Sequence, residues 1–186
     1  MPGPAAAGQD RDMLIRRETP ADIEGIRAVH SAAFAGPDTA PGQPPVEVGL
    51  VDALRADGAW IPELSLVAVG AGGEVAGHVV CTRGRVGTAP ALGLGPLGVL
   101  PALQRQSVGS ALMHAVLGAA DALGEPLVVL LGHTGYYPRF GFRPAAEYGI
   151  VPPVPAWAEH FQARALTVYD PALRGPFTYA GPFNDL

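Results

Sequence analysis

The chain has no lysine: all twelve of its basic residues are arginine. Lysine Schiff-base chemistry and a phosphate-loop lysine are thereby excluded. It has one cysteine, Cys81, so it can form no intrachain disulfide and no cysteine-based zinc cluster. The five histidines, His30, His78, His114, His133 and His160, lack metal-ligand spacing, and no metal is expected. No apolar run approaches the roughly 18 residues of a membrane span. The opening "MPGPAAAGQDRD" lacks the apolar centre of a signal peptide. A soluble, cytoplasmic protein without a membrane partner is therefore expected. The formal net charge of −5 shows no basic footprint for nucleic acid. Glycine and proline are abundant instead, 25 and 20 of 186 residues, but 48% of the chain is hydrophobic. That apolar content, with clear periodicity, confines them to loops and ends.

The length predicts one domain with a proper core, residues 12–186, behind a loose leader at 1–11. "MLIRRE" reads as a strand. In "TPADIEGIRAVHSAAF", Thr19 can cap, Pro20 suits the first helical position, and Asp22 takes the capping-box place. Ile23, Ile26, Val29, His30 and Ala33 form its stripe. "VEVGLVDALRADG" predicts a second helix. "LSLVAVGAGGEVAGHVVCTR" predicts a β-hairpin turning at Gly72-Gly73. "GRVGTAP" reads as a loop and "ALGLGPLGVL" as an extended segment. "SVGSALMHAVLGAADALG" is the strongest helix, with Val108, Leu112, Ala115, Val116, Ala119 and Leu123 on one face. "LVVLL" is a buried strand. "GHTGYYPRFGFRPA" reads as a helical turn and a strand, "FQARALTVYD" as a late strand, and "GPFTYAGPFNDL" as a tail. The order predicts a mixed sheet flanked by helices, α/β or α+β and not doubly wound.

Two glycine patterns compete for a phosphate. Gly93-Leu94-Gly95-Pro96-Leu97-Gly98 has the form GxGxxG, but a dinucleotide fingerprint must open a helix. Here Pro96 and the following Val99-Leu100-Pro101 keep the chain extended, and a kinked or bulged strand is expected. Gln104-Arg105-Gln106-Ser107-Val108-Gly109 lies between a strand and a helix. Free amides at a helix start and the helix dipole suit an anion, and Arg105 adds a cation. From spacing alone an ordinary helix start is the favoured reading.

"LGPLGVLPALQRQSVGSALM" resembles motif A of the GNAT N-acetyltransferases, and "GYYPRFGF" resembles their later LYxxxGF element. Together they resemble the YhbS-like branch over about residues 13–144. The resemblance implies a GNAT-like fold, with a bulge splaying the fourth strand from the fifth. It implies acetyl-CoA as cosubstrate and direct transfer to an amine of a small molecule or peptide. Leu97, Gly98 and Val99 would meet the pantetheine arm. Gln104, Arg105, Gln106, Ser107, Val108, Gly109 and Ser110 would wrap the pyrophosphate. The family usually has glycine where Ser107 stands; its side chain would crowd the phosphate or donate to it.

The resemblance places Tyr137 as general acid, with Tyr136 as fallback, and the Val99 amide as oxyanion donor. A base is not readable. Glu47, Glu63 and His78 are candidates, and ordered water is an alternative. His133 either faces the cleft or caps a turn. Cys81 reads as a buried apolar residue. Asp38, Glu47, Asp52, Asp57 and Glu63 favour cationic acceptors, unless they merely solvate a surface. A homodimer is compatible with this fold. The rival function is a CoA-binding or sensing module without catalysis.

Overall fold

The computed structural model describes residues 13–36, 39 and 42–185. The leader and Asp38 lie outside the described residues. The chain forms β1 (Leu14–Arg17), α1 (Ile23–Ala33), α2 (Val46–Ala56), β2 (Trp60–Val69), β3 (Val75–Val86), β4 (Ala89–Val99), α3 (Val108–Ala122) and β5 (Leu127–Leu131). It continues through β6 (Arg143–Pro144), β7 (Ile150–Val151), β8 (Phe161–Ala165) and β9 (Gly175–Thr178). The sheet runs β1-β2-β3-β4-β5-β8-β6, while β9 pairs with both β3 and β7. All pairings along the main path are antiparallel except β4 with β5. This is the expected mixed sheet. α3 packs on one face, against β2 and β3, and α1 on the other, against β3 and β4.

Local chemistry explains the elements. α1 is entered through a 3₁₀ turn at Pro20–Asp22. The Asp22 carboxylate accepts from the Thr19 amide and hydroxyl, at 2.7 and 2.8 Å. Arg16 adds a two-pronged pair at 2.7 and 2.9 Å. Ile26, Val29 and His30 form the buried stripe at helical spacing. The β2–β3 hairpin turns where expected, with Gly73 at φ 88° and the Gly70 amide donating to the Glu74 carbonyl.

Three expectations change. "GRVGTAP" is not a loop: the strands run to Val86 and resume at Ala89, leaving Gly87-Thr88 as a tight turn. The tail contains β9, paired Arg85↔Thr178 and Val86↔Phe177. This long-range pairing overrides what glycine and proline suggest locally. On α3, Leu123 is exposed, whereas Met113, Leu117 and Ala120 are buried. That helix is apolar almost all round, so periodicity does not single out its buried face.

The site is set by a fault in the sheet. β4 pairs with β5 only at Leu92↔Val128 and Gly93↔Val129. Further along, β5 stays with β8 as far as Leu131, while β4 stays with β3. In the β3–β4 ladder Val79 faces Leu97 and Cys81 faces Leu94, so Gly95 and Pro96 form a bulge opposite Val80. Gly95 has φ 149°, which side-chain-bearing residues rarely adopt, and Pro96 has no amide for the ladder. β4 and β5 therefore diverge, and the sheet opens at their carboxyl ends.

The outer glycines of the first pattern make room for rings. A Cβ at Gly93 would lie 2.7 Å from the Tyr179 ring, and one at Gly98 would lie 2.8 Å from His30. The pattern shapes the strand and opens no helix.

Candidate active site

Two cavities adjoin the split. The first, about 610 Å³, is lined by Leu97, Val99, Gln104, Arg105, Ser107, Gly109 and Ser110, with Tyr136, Tyr137 and Arg139. The Leu100 amide donates to the Ala76 carbonyl. Strand alternation therefore turns the amides and carbonyls of Leu97 and Val99 towards the edge that β5 has left. The Val99 carbonyl accepts from Gln104 Nε2 at 3.1 Å, which ties the strand end to the loop and leaves the Val99 amide directed at the opening.

The loop before α3 is wound by two residues in the left-handed region, Arg105 at φ 61° and Ser107 at φ 69°. Left-handed turns of this kind gather successive amides into an anion-binding concavity. Ser107 is also the N-cap of α3, and its side chain makes no capping bond. The first-turn amides of a 15-residue helix thus face the same cavity. Arg105 and Arg139 supply cations. Such a lining fits a diphosphate with an extended amide-bearing arm. Three of the expected contacts face elsewhere. Gly98 faces His30, Gln106 donates to the Ala102 carbonyl at 2.8 Å, and Val108 is packed in the core.

Tyr136 and Tyr137 differ in position. A Cβ at Gly109 would lie 3.1 Å from the Tyr136 hydroxyl, so Tyr136 sits over the helix start, with the Arg139 guanidinium 4.6 Å from its ring centre. Arg139 is the cavity residue that the sequence reading passed over; its signal was a cation three residues after Tyr136, on the same turn. Tyr137 packs edge-on against Tyr136, 5.0 Å between centroids. Burial, with a smaller contribution from Tyr136, pushes the Tyr137 phenol up to about 12. It therefore holds its proton at neutral pH.

The second cavity, about 430 Å³, shares Leu97 and Tyr137 with the first. Its walls include Phe34, Glu47, Pro96, Trp157, Tyr179 and Phe183. Of the base candidates, Glu47 alone lines it. Glu63 pairs with Arg17 at 3.3 Å. His78 is sealed in the core: its Nδ1 lies 2.8 Å from His30 Nε2, and its Nε2 2.9 Å from Ser65 Oγ. The Ser65 hydroxyl is 2.5 Å from Glu18. Burial alone would raise the Glu18 carboxyl, but the His78 ring facing it at 3.4 Å and hydrogen bonds from Arg55 and Ser65 hold it at about 2. Desolvation by burial pushes both histidines down, His30 to about 3. The anionic end fixes the direction of the chain: Ser65 donates to Glu18, His78 to Ser65, and His30 to His78. His133 caps a turn through its carbonyl, which accepts from the Tyr136 amide. Cys81 is buried, and its thiol is pushed up by desolvation.

Two further members of the acidic set are engaged within the fold. Asp52 pairs with Arg27 and Arg55, at 2.8 and 2.9 Å. Asp57 accepts from the Ala59 amide at 2.7 Å. Among the described residues, no helix is long and apolar enough to cross a membrane.

Known proteins share this fold. Residues 14–145 match the GNAT acetyltransferase domain. The solved structure of the YhbS GNAT-family N-acetyltransferase of Escherichia coli, in complex with CoA, is 30% identical with TM-score 0.83, covering 97% of this chain and 96% of that one. A GNAT-family acetyltransferase from Brucella melitensis, in complex with acetyl-CoA, is 36% identical with TM-score 0.74, covering 94% and 99%. The uncharacterized N-acetyltransferase YjhQ of Escherichia coli K12 is 33% identical over 169 residues, 87% of this chain and 88% of its own length. The family match spans both the bulged strand and the αL-wound loop before α3, the two features that form the first cavity. The chain belongs to the GNAT acetyltransferase family.

Proposed function

We propose that this acetyltransferase is a cytoplasmic enzyme that moves the acetyl group of acetyl-CoA directly onto a primary amine. The observation that carries the reading is the meeting of two cavities at Leu97 and Tyr137, where β4 and β5 part. A cradle alone would suit a CoA-binding module; a second cavity opening at the same tyrosine favours transfer.

In this reading the amides of the 104–110 loop, with Arg105 and Arg139, hold the diphosphate. The free edge of Leu97 and Val99 pairs with the pantetheine arm as an added strand would. The neutral amine attacks the thioester carbonyl and forms the C–N bond. The Val99 amide donates to the developing oxyanion. Collapse breaks the C–S bond, and Tyr137 gives its proton to the departing thiolate. The product nitrogen then loses a proton, which restores the phenol. Glu47 or ordered water receives the proton that the entering ammonium must first lose. Buried, inert Cys81 is far from suited to an acyl-enzyme route, so transfer is direct.

Acetyl-CoA should raise the unfolding temperature and NAD should not. Linkage at 100 times the dissociation constant gives about 2.7 kcal/mol. Thiol release should then require an amine. No shift with millimolar acetyl-CoA, or binding without release for any amine, overturns the reading.

A further inference from the structure

We propose that the second cavity takes a small amine with a single ammonium on a flat aromatic body, a proposal that rests on the acetyl-transfer reading above. The walls come from three distant segments: Phe34 after α1, Trp157 on a 3₁₀ turn, and Tyr179 and Phe183 in the tail. Tyr179 and Phe183 have centroids 4.7 Å apart at a 38° tilt, and Phe177 backs Tyr179 edge-on at 4.7 Å. Rings held by rings in this way offer both faces and edges to a further ring. A volume of about 430 Å³ lies in the usual range for small-molecule pockets.

Charge narrows the class. Among the described lining residues, Glu47 is the one charged group. The other described acids of this half line no part of the cavity: Asp52 is paired with Arg27 and Arg55, Glu18 with Arg55 and Glu63 with Arg17, and Asp57 accepts from the Ala59 amide. A polyamine or an aminoglycoside would enter with several cations and meet one counter-charge among the described lining residues. Its remaining ammonium groups would lose water without a counter-charge, and attraction to a ring face repays only part of that cost. A monoamine loses its charge on reaction, and its apolar body is what the walls receive.

The test is acetyl transfer followed by thiol release with 2-phenylethylamine, n-butylamine and spermidine. The expected kcat/KM for 2-phenylethylamine exceeds that for each of the others by about 10-fold or more, the scale on which apolar pockets discriminate. Trp157→Ala should raise KM for 2-phenylethylamine about 10-fold, leave KM for acetyl-CoA unchanged, and narrow the preference over n-butylamine. Phe183→Ala, on a half-exposed terminal turn, repeats this measurement if Trp157→Ala does not fold. Spermidine or n-butylamine matching or beating 2-phenylethylamine overturns the aromatic monoamine while leaving acetyl transfer intact. Silence with every amine, in protein that binds CoA by calorimetry, overturns both.

Discussion

The first cavity takes most of its lining from one short run of chain, Leu97 to Ser110, completed by the turn carrying Tyr136, Tyr137 and Arg139. The second draws on the ends of both early helices, the bulge, a late loop and the C-terminal tail. In the proposed reading the first would hold its ligand with backbone groups, two of them in left-handed geometry, and with arginines; the second would offer ring surfaces and a lone carboxylate. The cofactor side is therefore set by local conformation that a short motif can encode. The acceptor side is set by tertiary assembly, and its lining can change without disturbing the cradle. Tyr137 belongs to both, and variants can show how separate the two halves are.

The largest effect is expected at that shared residue. Tyr137→Phe removes one hydroxyl and keeps the ring against Phe142, 6.0 Å between centroids. Turnover should fall 10²- to 10⁴-fold, the usual range for a general acid. Affinity for acetyl-CoA, measured by calorimetry, should change by less than about 1 kcal/mol, because the hydroxyl acts as the thiolate leaves. Tyr136 sits over Gly109 on the cofactor side, so Tyr136→Phe should barely alter turnover. Near-normal turnover in Tyr137→Phe would falsify the acid assignment, and a large loss confined to Tyr136→Phe would shift it by one residue.

This division also explains what could be read from the residues alone. The bulged strand, the helix after it and the loop between them were legible, because Gly95, Pro96 and Gly109 act within a few residues of their own positions. The strain at Ser107 was legible only as a departure from the family's glycine; its left-handed φ gives that glycine a reason and the serine a cost. Arg139 is not singled out because its one mark, a cation three residues after Tyr136, gains meaning only once the turn at Tyr137–Phe140 is known. Nothing local marks Tyr179 and Phe183 as cavity walls, since they reach the site through the pairing of β9 with β3. The acidic residues misled for a similar reason: Arg27 lies 25 positions from Asp52, and Glu63 is paired with Arg17, from the far end of β1.

A second contrast separates the halves by pH. The acceptor side rests on the buried line Glu18–Ser65–His78–His30, and His30 stacks on the cavity residue Phe34 at 5.7 Å. The His30 ring, held at about 3, is neutral when folded but takes a proton near 6.5 when unfolded. Its folded value is depressed, so the unfolded chain binds more protons below about pH 6.5, and stability falls as pH drops from there towards 3. Between pH 7 and pH 5 this one ring accounts for about 2 kcal/mol of lost stability. His30→Leu should be less stable at pH 7 but should lose about that much less on going to pH 5. Urea unfolding at the two pH values measures the slope, and an unchanged slope would mean that His30 is not the group responsible.

The smallest effect concerns the cradle alone. Ser107 stands at φ 69° and ψ 0°, a conformation costing a side-chain-bearing residue roughly 1–2 kcal/mol. Glycine adopts it freely but loses about 0.5–1 kcal/mol more conformational freedom on folding. Ser107→Gly should therefore stabilise the free protein by about 0.5–1 kcal/mol, seen as a higher urea midpoint. Its effect on CoA affinity then reports what the hydroxyl does. Weaker binding by about 0.5–1.5 kcal/mol identifies a hydrogen bond to the phosphate, and tighter binding identifies crowding. Preference among acceptor amines should not move, because Ser107 lines only the first of these two cavities. A variant that bound CoA normally yet changed its choice of amine would show the two halves to be coupled after all.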